Sequence, residues 1–410
     1  MDMKGWDTIS FLRTEAVDRQ FAAAYREEMG QFQYSGDGLT LEGCFGPPKI
    51  IPGGSGKALR ISLPIVSGTV TVGVEQRILS GCECCIAVML QFLPHEDGQA
   101  LGFDLRQLAK TPEEAEPGGG WVLPIDFFSP EGQIPKLWRR TILECVCQYF
   151  IEYPSFFSRL LAYVASQQAS ERIWSIPGEC AYAYLDSTPP VLCVLGICGI
   201  QWQSELPLTI DPPPISAGAV SCLAISGPLF LSNMFIPALN GQFPGVSAGI
   251  FEPQEGWLQN LIPLDMASFV CEGQEYAPTA QTVRLKISGS QISMEVSGNC
   301  DLDPLDAELE FTLDIRFSLT VSGQAALCRV VTASEQHTIH GGCFSDIPIA
   351  GGLVKLLLKE FSGNFIQRLD HSLSDTRIFL ELDAVSWLGK KSGRLLSARL
   401  ENCLLLEYGS

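Results

Sequence analysis

The chain has 410 residues, of which 46% are hydrophobic and 18% charged, a composition that excludes a disordered chain. Its 27 basic and 46 acidic residues give a net charge of −19, and no basic cluster is present that would neutralise a phosphate backbone, so we expect no nucleic-acid partner. The 39 glycines and 26 prolines predict many turns, which favours β architecture.

The cysteines indicate a reducing compartment. There are 15 of them, an odd number, and several lie in apolar runs where a free thiol packs as a small hydrophobic side chain. The first residues contain no apolar stretch typical of a secretory signal. We therefore expect a cytoplasmic protein, with release from the cell by another route left open.

The first third of the chain predicts one helix followed by strands. Apolar residues at spacings of three and four predict a helix over residues 14–30, with Thr14 as its N-cap. Alternating apolar residues at 61–65 and at 70–74, on either side of Ser67-Gly68, predict a hairpin. Residues 82–93 predict a further strand.

The middle of the chain predicts more helix and then a boundary. Residues 135–168 form an apolar stripe that Pro154 interrupts, and residues 191–200 predict a wholly apolar strand. The Asp-Pro-Pro-Pro run at 211–214 is the best candidate linker. It predicts an N-terminal lobe over residues 1–210 and a C-terminal lobe over residues 211–410.

One uncharged segment is long enough to raise the question of a membrane span. Residues 212–251 contain no charged side chain, and 220–239 is long enough to span a bilayer. Gly227-Pro228 and Pro237 interrupt any isolated helix there. We interpret the segment as buried or groove-lining and predict that the protein is not an integral membrane protein.

The second half of the chain holds the clearest β signal. Apolar and polar residues alternate strictly over 309–321, which predicts one long strand with a dry and a wet face. Residues 283–296 and 378–382 predict similar, shorter strands, and 353–369 predicts an amphipathic helix. The predicted class is α+β, mainly β, with long antiparallel strands.

The short motifs do not point to an enzyme. The GVSAG run at 245–249 matches a serine-nucleophile turn, but its flanks do not read as strand and helix. The GGSGK run at 53–57 lacks the spacing of a phosphate loop, and His337, His340 and Cys343 lack a second ligand pair for zinc. We predict no catalytic residue, no metal and no cofactor.

Three features resemble one known family, the 47-kilodalton accessory protein of orfX-type clostridial neurotoxin gene clusters. They are GWDT at 5–8 before a helix, ISGPL at 225–229 followed by IPAL at 236–239, and a C-terminal order of helix, strand with Trp387, and leucine-rich stretch at 395–406. The resemblance implies a tubular lipid-binding (TULIP-type) fold. In that fold a long curved antiparallel sheet wraps around long amphipathic helices, and no catalytic residues are expected.

Such a fold can leave an apolar groove between helix and sheet. The candidate wall residues in the charge-free segment are Leu229, Phe230, Met234, Phe235 and Leu239. The expected function is non-enzymatic binding of a lipid or another hydrophobic ligand. The alternatives are a protein-interaction scaffold or toxin-accessory factor with a filled core, whose partners would be proteins encoded nearby, and a hydrolase acting through Ser247.

A charged headgroup would need a local basic site because the net charge repels anionic surfaces. The basic residues that gather near the C-terminus are Lys355, Lys359, Lys390, Lys391, Arg394 and Arg399.

Overall fold

The structure is a computed structural model of the chain. It describes all residues except 27–29, 96–97, 112–113, 115–119, 158–159, 167–172, 199–205, 214, 303–305, 323–324, 342–349, 376–377, 380–383, 389–392 and 410.

The chain divides into two compact units. The larger unit comprises residues 4–222, 382–394 and 409–410, and the smaller comprises residues 1–3, 223–381 and 395–408. The sequence predicted a single boundary between residues 210 and 211. The main division lies between Cys222 and Leu223, and the late exchange of segments between the units was not part of the prediction.

The larger unit contains an eleven-stranded, mostly antiparallel sheet. Its strands are Gln31–Gly36, Leu39–Phe45, Lys49–Ser55, Ala58–Val72, Glu75–Ile78, Glu83–His95, Gly98–Phe103, Gln107–Leu108, Trp121–Phe128, Leu160–Ala165 and Val385–Trp387. Three further antiparallel strands of this unit are Thr8–Arg13, Glu179–Leu185 and Val191–Ile197. Its longer helices are α1 (Thr14–Ala24) and α2 (Lys136–Glu152), and Pro154–Phe157 and Ile173–Ser175 form single 3-10 turns.

The smaller unit is built on an eight-stranded antiparallel sheet. Its strands are Phe251–Gln254, Trp257–Asn260, Leu264–Asp265, Thr279–Ser288, Gln291–Asp301, Ala307–Ser322, Ala325–Gly341 and Ile378–Phe379. The short hairpin Phe269–Cys271 with Gln274–Tyr276, the strands Ser221–Ser226, Leu395–Leu400 and Cys403–Tyr408, and helix α3 (Ala350–Asp375) complete the unit. The predicted mainly-β class with antiparallel sheets is therefore confirmed.

The long alternating strand is confirmed as Ala307–Ser322. Its apolar side chains from Leu309 to Phe317 are at most 4% exposed, whereas the polar side chains between them face outward. The neighbouring strand adds Ile292, Met294 and Val296 to the same dry face. The predicted strand over 283–296 is instead two strands, because Gly289 adopts a positive φ of 59° in a tight turn between Ser288 and Gln291.

The hairpin predicted at Ser67-Gly68 is wrong. Ala58–Val72 is one continuous strand, and Gly68 lies opposite Gly43 of the adjacent strand. A Cβ on Gly68 would lie 2.8 Å from the Gly43 Cα, so the glycines allow two backbones to approach closely rather than to turn.

The helix predicted to continue beyond Pro154 is also wrong. After one 3-10 turn the chain enters strand Leu160–Ala165, which pairs with Gly98–Phe103 and Val385–Trp387. The apolar residues at 160–164 fit the period of a helix as well as that of a strand, and pairing with two distant strands decides in favour of the strand. Thr14, predicted as the N-cap of α1, is instead its first helical residue, because Arg13 occupies the cap position and makes no capping side-chain hydrogen bond. The helix ends at Ala24 rather than near the predicted Gly30.

No helix in the described part of the chain is long and apolar enough to cross a membrane.

Candidate ligand-binding segment

The charge-free region folds into a compact run of helical turns, residues 227–241, in the smaller unit. The run begins where strand Ser221–Ser226 ends. The Ser226 Oγ accepts a hydrogen bond from the Leu229 backbone N–H at 3.4 Å, and Pro228 occupies the first turn, where its missing N–H has no helical partner to lose. Ser226 and Pro228 therefore favour the start of a helix at this position.

A π-helical turn, Leu231–Phe235, interrupts the run. The Ile236 N–H donates to the Leu231 carbonyl, five residues earlier. Pro237 follows directly and has no N–H to donate to the Asn233 carbonyl, so the α-helical hydrogen-bond register cannot continue through it. π-turns of this kind occur often at functional sites.

The five predicted wall residues lie on this segment, but not in one environment. Phe230, Phe235 and Leu239 are fully buried, whereas Leu229 and Met234 are half-buried. The Phe235 ring packs edge-on against Phe317 of the long strand, with 5.2 Å between centroids. Three of the five thus belong to the interior of the unit, and two lie at its margin.

Helix α3 covers the end of the segment. Its buried residues Phe361, Phe365, Leu369 and Leu373 recur at every fourth position. The Phe365 ring lies 6.0 Å from that of Phe243, and Phe361 lies 4.8 Å from Phe311 of the sheet. A Cβ placed on Gly241 would lie 2.6 Å from the Ser372 Oγ, so only glycine fits this approach without displacing the serine.

A buried polar residue, Gln242, directly follows the 227–241 segment, and the sequence analysis missed it. Its backbone N–H donates to the Leu239 carbonyl at 2.9 Å, and its carbonyl accepts from the Ala267 N–H at 2.8 Å. The residue is 1% exposed, and its side-chain Nε2 has no hydrogen-bond acceptor among the residues that the structure describes. The same uncharged stretch also contains the amides Asn233 and Asn240, so no signal in the sequence singles out Gln242.

Of the predicted basic residues that the structure describes, Arg399 is held in ion pairs, whereas Lys359 and Arg394 are exposed. Arg399 donates to the Glu407 Oε1 at 2.6 Å and to the Glu401 Oε1 at 2.8 Å, and Glu407 is 1% exposed. Lys359 lies exposed on α3, while Lys390, Lys391 and the side chain of Lys355 lie outside the described residues. The guanidinium of Arg399 is thus engaged by a buried carboxylate.

The remaining motifs have simple structural settings. Ser247 is exposed in extended backbone before a 3-10 turn, so it lacks the strand-to-helix geometry of a nucleophile turn. His337 and His340 are three residues apart on strand Ala325–Gly341 and so point to opposite faces, and Cys343 lies outside the described residues. Among the residues that the structure describes, no group of three potential metal ligands comes together.

The cysteines behave as packing residues. None of the fourteen that the structure describes forms a disulfide, and most are buried. Burial raises the pKa of the Cys193 thiol to about 12 and the pKa of the Cys145 thiol to about 11. These thiols therefore remain protonated and weakly nucleophilic at neutral pH.

Comparison with known proteins identifies the family. The family model described as "OrfX-like: Protein OrfX2/OrfX3/P47" matches residues 3–373. Protein OrfX3 of Paraclostridium bifermentans is 22% identical over 334 residues, which cover 71% of this chain and 67% of the relative. The structure of P47 from Clostridium botulinum A2 matches with a TM-score of 0.81 and 18% identity, over 100% of this chain and 98% of that one.

P47 of Clostridium botulinum E1 matches with a TM-score of 0.79 and 16% identity, over 99% of each chain. At these identities the two structures establish a shared fold. The resemblance expected from the sequence is confirmed: the chain belongs to the OrfX-like family of OrfX2, OrfX3 and P47 proteins.

Proposed function

We propose that this chain is a non-enzymatic accessory protein of the toxin-cluster type, which binds a lipid or another apolar ligand in its smaller unit. The observation that carries the proposal is the 227–241 segment, whose apolar side chains extend from the buried interior to a half-exposed margin. A segment of this kind offers a continuous apolar path along which an acyl chain can lie.

The architecture of the smaller unit supports the proposal. The dry face of the sheet packs against α3 through the pair Phe311–Phe361, and against the 227–241 segment through Phe235–Phe317. We propose that this arrangement is of the tubular lipid-binding type, with the sheet curved around α3. An acyl chain would then replace contacts between helix and sheet, where apolar side chains already meet.

Met234 is the best residue with which to test the proposal. Its thioether chain is flexible and adapts to ligands of different shape, and it lies half-buried beside the fully buried Phe235. Native mass spectrometry of the gently purified protein, followed by organic extraction, should reveal a bound lipid. Met234→Gln should weaken lipid retention by about five-fold, since it places a polar amide on the apolar path.

Val270→Gln is the matched control, because Val270 belongs to the same unit but is 61% exposed. It should retain as much lipid as the wild type. A clean apo mass, with no uptake after incubation with mixed lipids, would contradict the proposed function.

A second candidate function is a protein-interaction scaffold. It is favoured by the hairpin that ends at strand Glu75–Ile78 in the larger unit, where Val74 and Ile78 are largely exposed. Apolar side chains presented beside an edge strand are typical of surfaces that pair with another protein. Co-purification with proteins encoded nearby that is lost in a Val74→Ser, Ile78→Ser variant would support this function.

A further inference from the structure

The side-chain amide of Gln242 is a buried hydrogen-bond donor of the smaller unit. Its Nε2 is buried and meets no acceptor within the described part of the chain, although a primary amide carries two N–H donors. Leaving a buried donor unsatisfied costs roughly 1–3 kcal/mol, and such groups are rare in native proteins. A molecule that supplies an acceptor would therefore recover a contribution that the protein alone does not obtain.

The position of Gln242 connects this donor with the candidate ligand path. Its N–H is bonded to the carbonyl of the wall residue Leu239, and the next residue, Phe243, packs against α3. The amide thus lies where the 227–241 segment ends and α3 begins to cover it. An apolar ligand that enters along Leu229 and Met234 would bring its polar end or its mid-chain oxygen toward this donor.

The surroundings decide the charge of the acceptor. Residues 212–251 contain no charged side chain, and the described contacts of residues 241–243 include the neutral residues Ala267, Phe365 and Ser372. The nearby guanidinium of Arg368 on α3 is exposed and donates to the Ser268 carbonyl at 2.9 Å. A carboxylate buried here without a cation would carry a large desolvation cost. An uncharged oxygen, in contrast, accepts the amide hydrogen bond without that cost.

We propose that Gln242 is the polar anchor of the apolar site and that its Nε2 donates a hydrogen bond to an uncharged oxygen of the ligand, an ester or amide carbonyl. The ligand class is therefore an acyl ester or acyl amide rather than a hydrocarbon or a free fatty acid. This inference rests on the proposed function, and it adds the chemistry by which the site distinguishes one apolar molecule from another.

The test compares three probes of similar length. Methyl palmitate, octadecane and palmitate are each delivered from methyl-β-cyclodextrin to the full-length protein, and retained ligand is quantified by mass spectrometry after desalting. Wild type should retain the ester with about five-fold higher affinity than the alkane, the value of one net hydrogen bond. It should retain palmitate less well than the ester.

Gln242→Leu removes the donor at nearly constant volume and should abolish the preference for the ester. Gln254→Leu, at an exposed position of the same unit, should preserve it. The mass of the ligand extracted from the native protein distinguishes a phospholipid ester from a neutral glyceride, since both share the carbonyl chemistry.

The outcomes separate this inference from the proposed function. Equal retention of ester and alkane by wild type overturns the role of Gln242 while leaving an apolar site intact. Retention of none of the probes overturns the apolar site itself. An ordered water on Nε2 that persists in a crystal structure with the ester bound would also overturn the proposal, because the donor would then be satisfied without the ligand.

Discussion

The long strand Ala307–Ser322 and the 227–241 segment both supply apolar side chains to the interior of the smaller unit, yet only the strand reveals its packing in the sequence. The strand alternates with period two, so the sequence states which side chains face the interior. The segment is apolar almost throughout, and its burial follows from a π-turn and from the cover of α3. A periodic sequence indicates which side chains of an element face the interior. In a uniformly apolar run, tertiary contacts decide which side chains are buried.

The largest expected effect tests whether the two regions form one interior. Phe317 of the strand and Phe235 of the segment are both fully buried and in ring contact. Phe317→Ala and Phe235→Ala should each lower the free energy of unfolding by about 3–5 kcal/mol, through lost burial and an unfilled cavity. Urea denaturation measures both.

Thr312→Ala, on the wet face of the same strand, is the control and should change stability little. A near-zero cost for Phe235→Ala alone would show that the segment does not share the interior of the sheet.

A smaller effect concerns a second uniformly apolar run, strand Val191–Ile197, in which every residue is buried. Burial raises the pKa of Cys193 from 9.0 to about 12, so the folded state holds this proton more tightly than the unfolded chain. The stabilisation from this group is therefore complete below pH 9 and is lost as the pH rises toward 12. Its loss should approach about 1.4 kcal/mol per pH unit in that window.

Urea titrations at pH 8 and pH 10.5 measure this loss. Other buried thiols contribute in the same direction, so the comparison is with Cys193→Ala, which should show a shallower decline. Identical slopes for the two proteins would mean that the Cys193 thiolate is not disfavoured by the fold.

The smallest expected effect tests how closely α3 packs against Gly241. Gly241→Ala would place a methyl group against the Ser372 Oγ, and we expect a loss of about 1 kcal/mol from overpacking. At Gly249 a Cβ would have no neighbour within 4 Å, so Gly249→Ala should be neutral or slightly stabilising. Thermal unfolding of the pair measures the difference. Equal stability would indicate that α3 does not press on residue 241.

Much of the fold followed from local pattern. The strand over 309–321, the start of α1 at Thr14 and the helix over 353–369 each carry a period that fits only one kind of element. Two of the errors, the hairpin at Ser67-Gly68 and the helix beyond Pro154, arose where a local signal had two meanings. Ser67-Gly68 has the composition of a turn, but its glycine serves a close approach of strands, which depends on Gly43 far away in sequence.

The candidate site was less predictable than the fold. Hydrophobicity selected Leu229, Phe230, Met234, Phe235 and Leu239 together, but it could not separate the three buried residues from the two at the margin. Gln242 escaped notice because a single polar residue is ordinarily a surface residue. Only the three-dimensional cover over it makes its amide a buried donor without an acceptor.

The exchange of segments near the C-terminus limits how the protein can be dissected. The chain leaves the smaller unit at residue 381, contributes residues 382–394 to the larger one, and returns with the strand pair Leu395–Leu400 and Cys403–Tyr408. That pair contains the fully buried Leu404, Leu405 and Leu406 and the buried carboxylate of Glu407. A single cut at any position between 223 and 394 therefore removes a strand or a core from at least one unit. Expression of either unit alone calls for a circularly permuted or spliced gene rather than a truncated one.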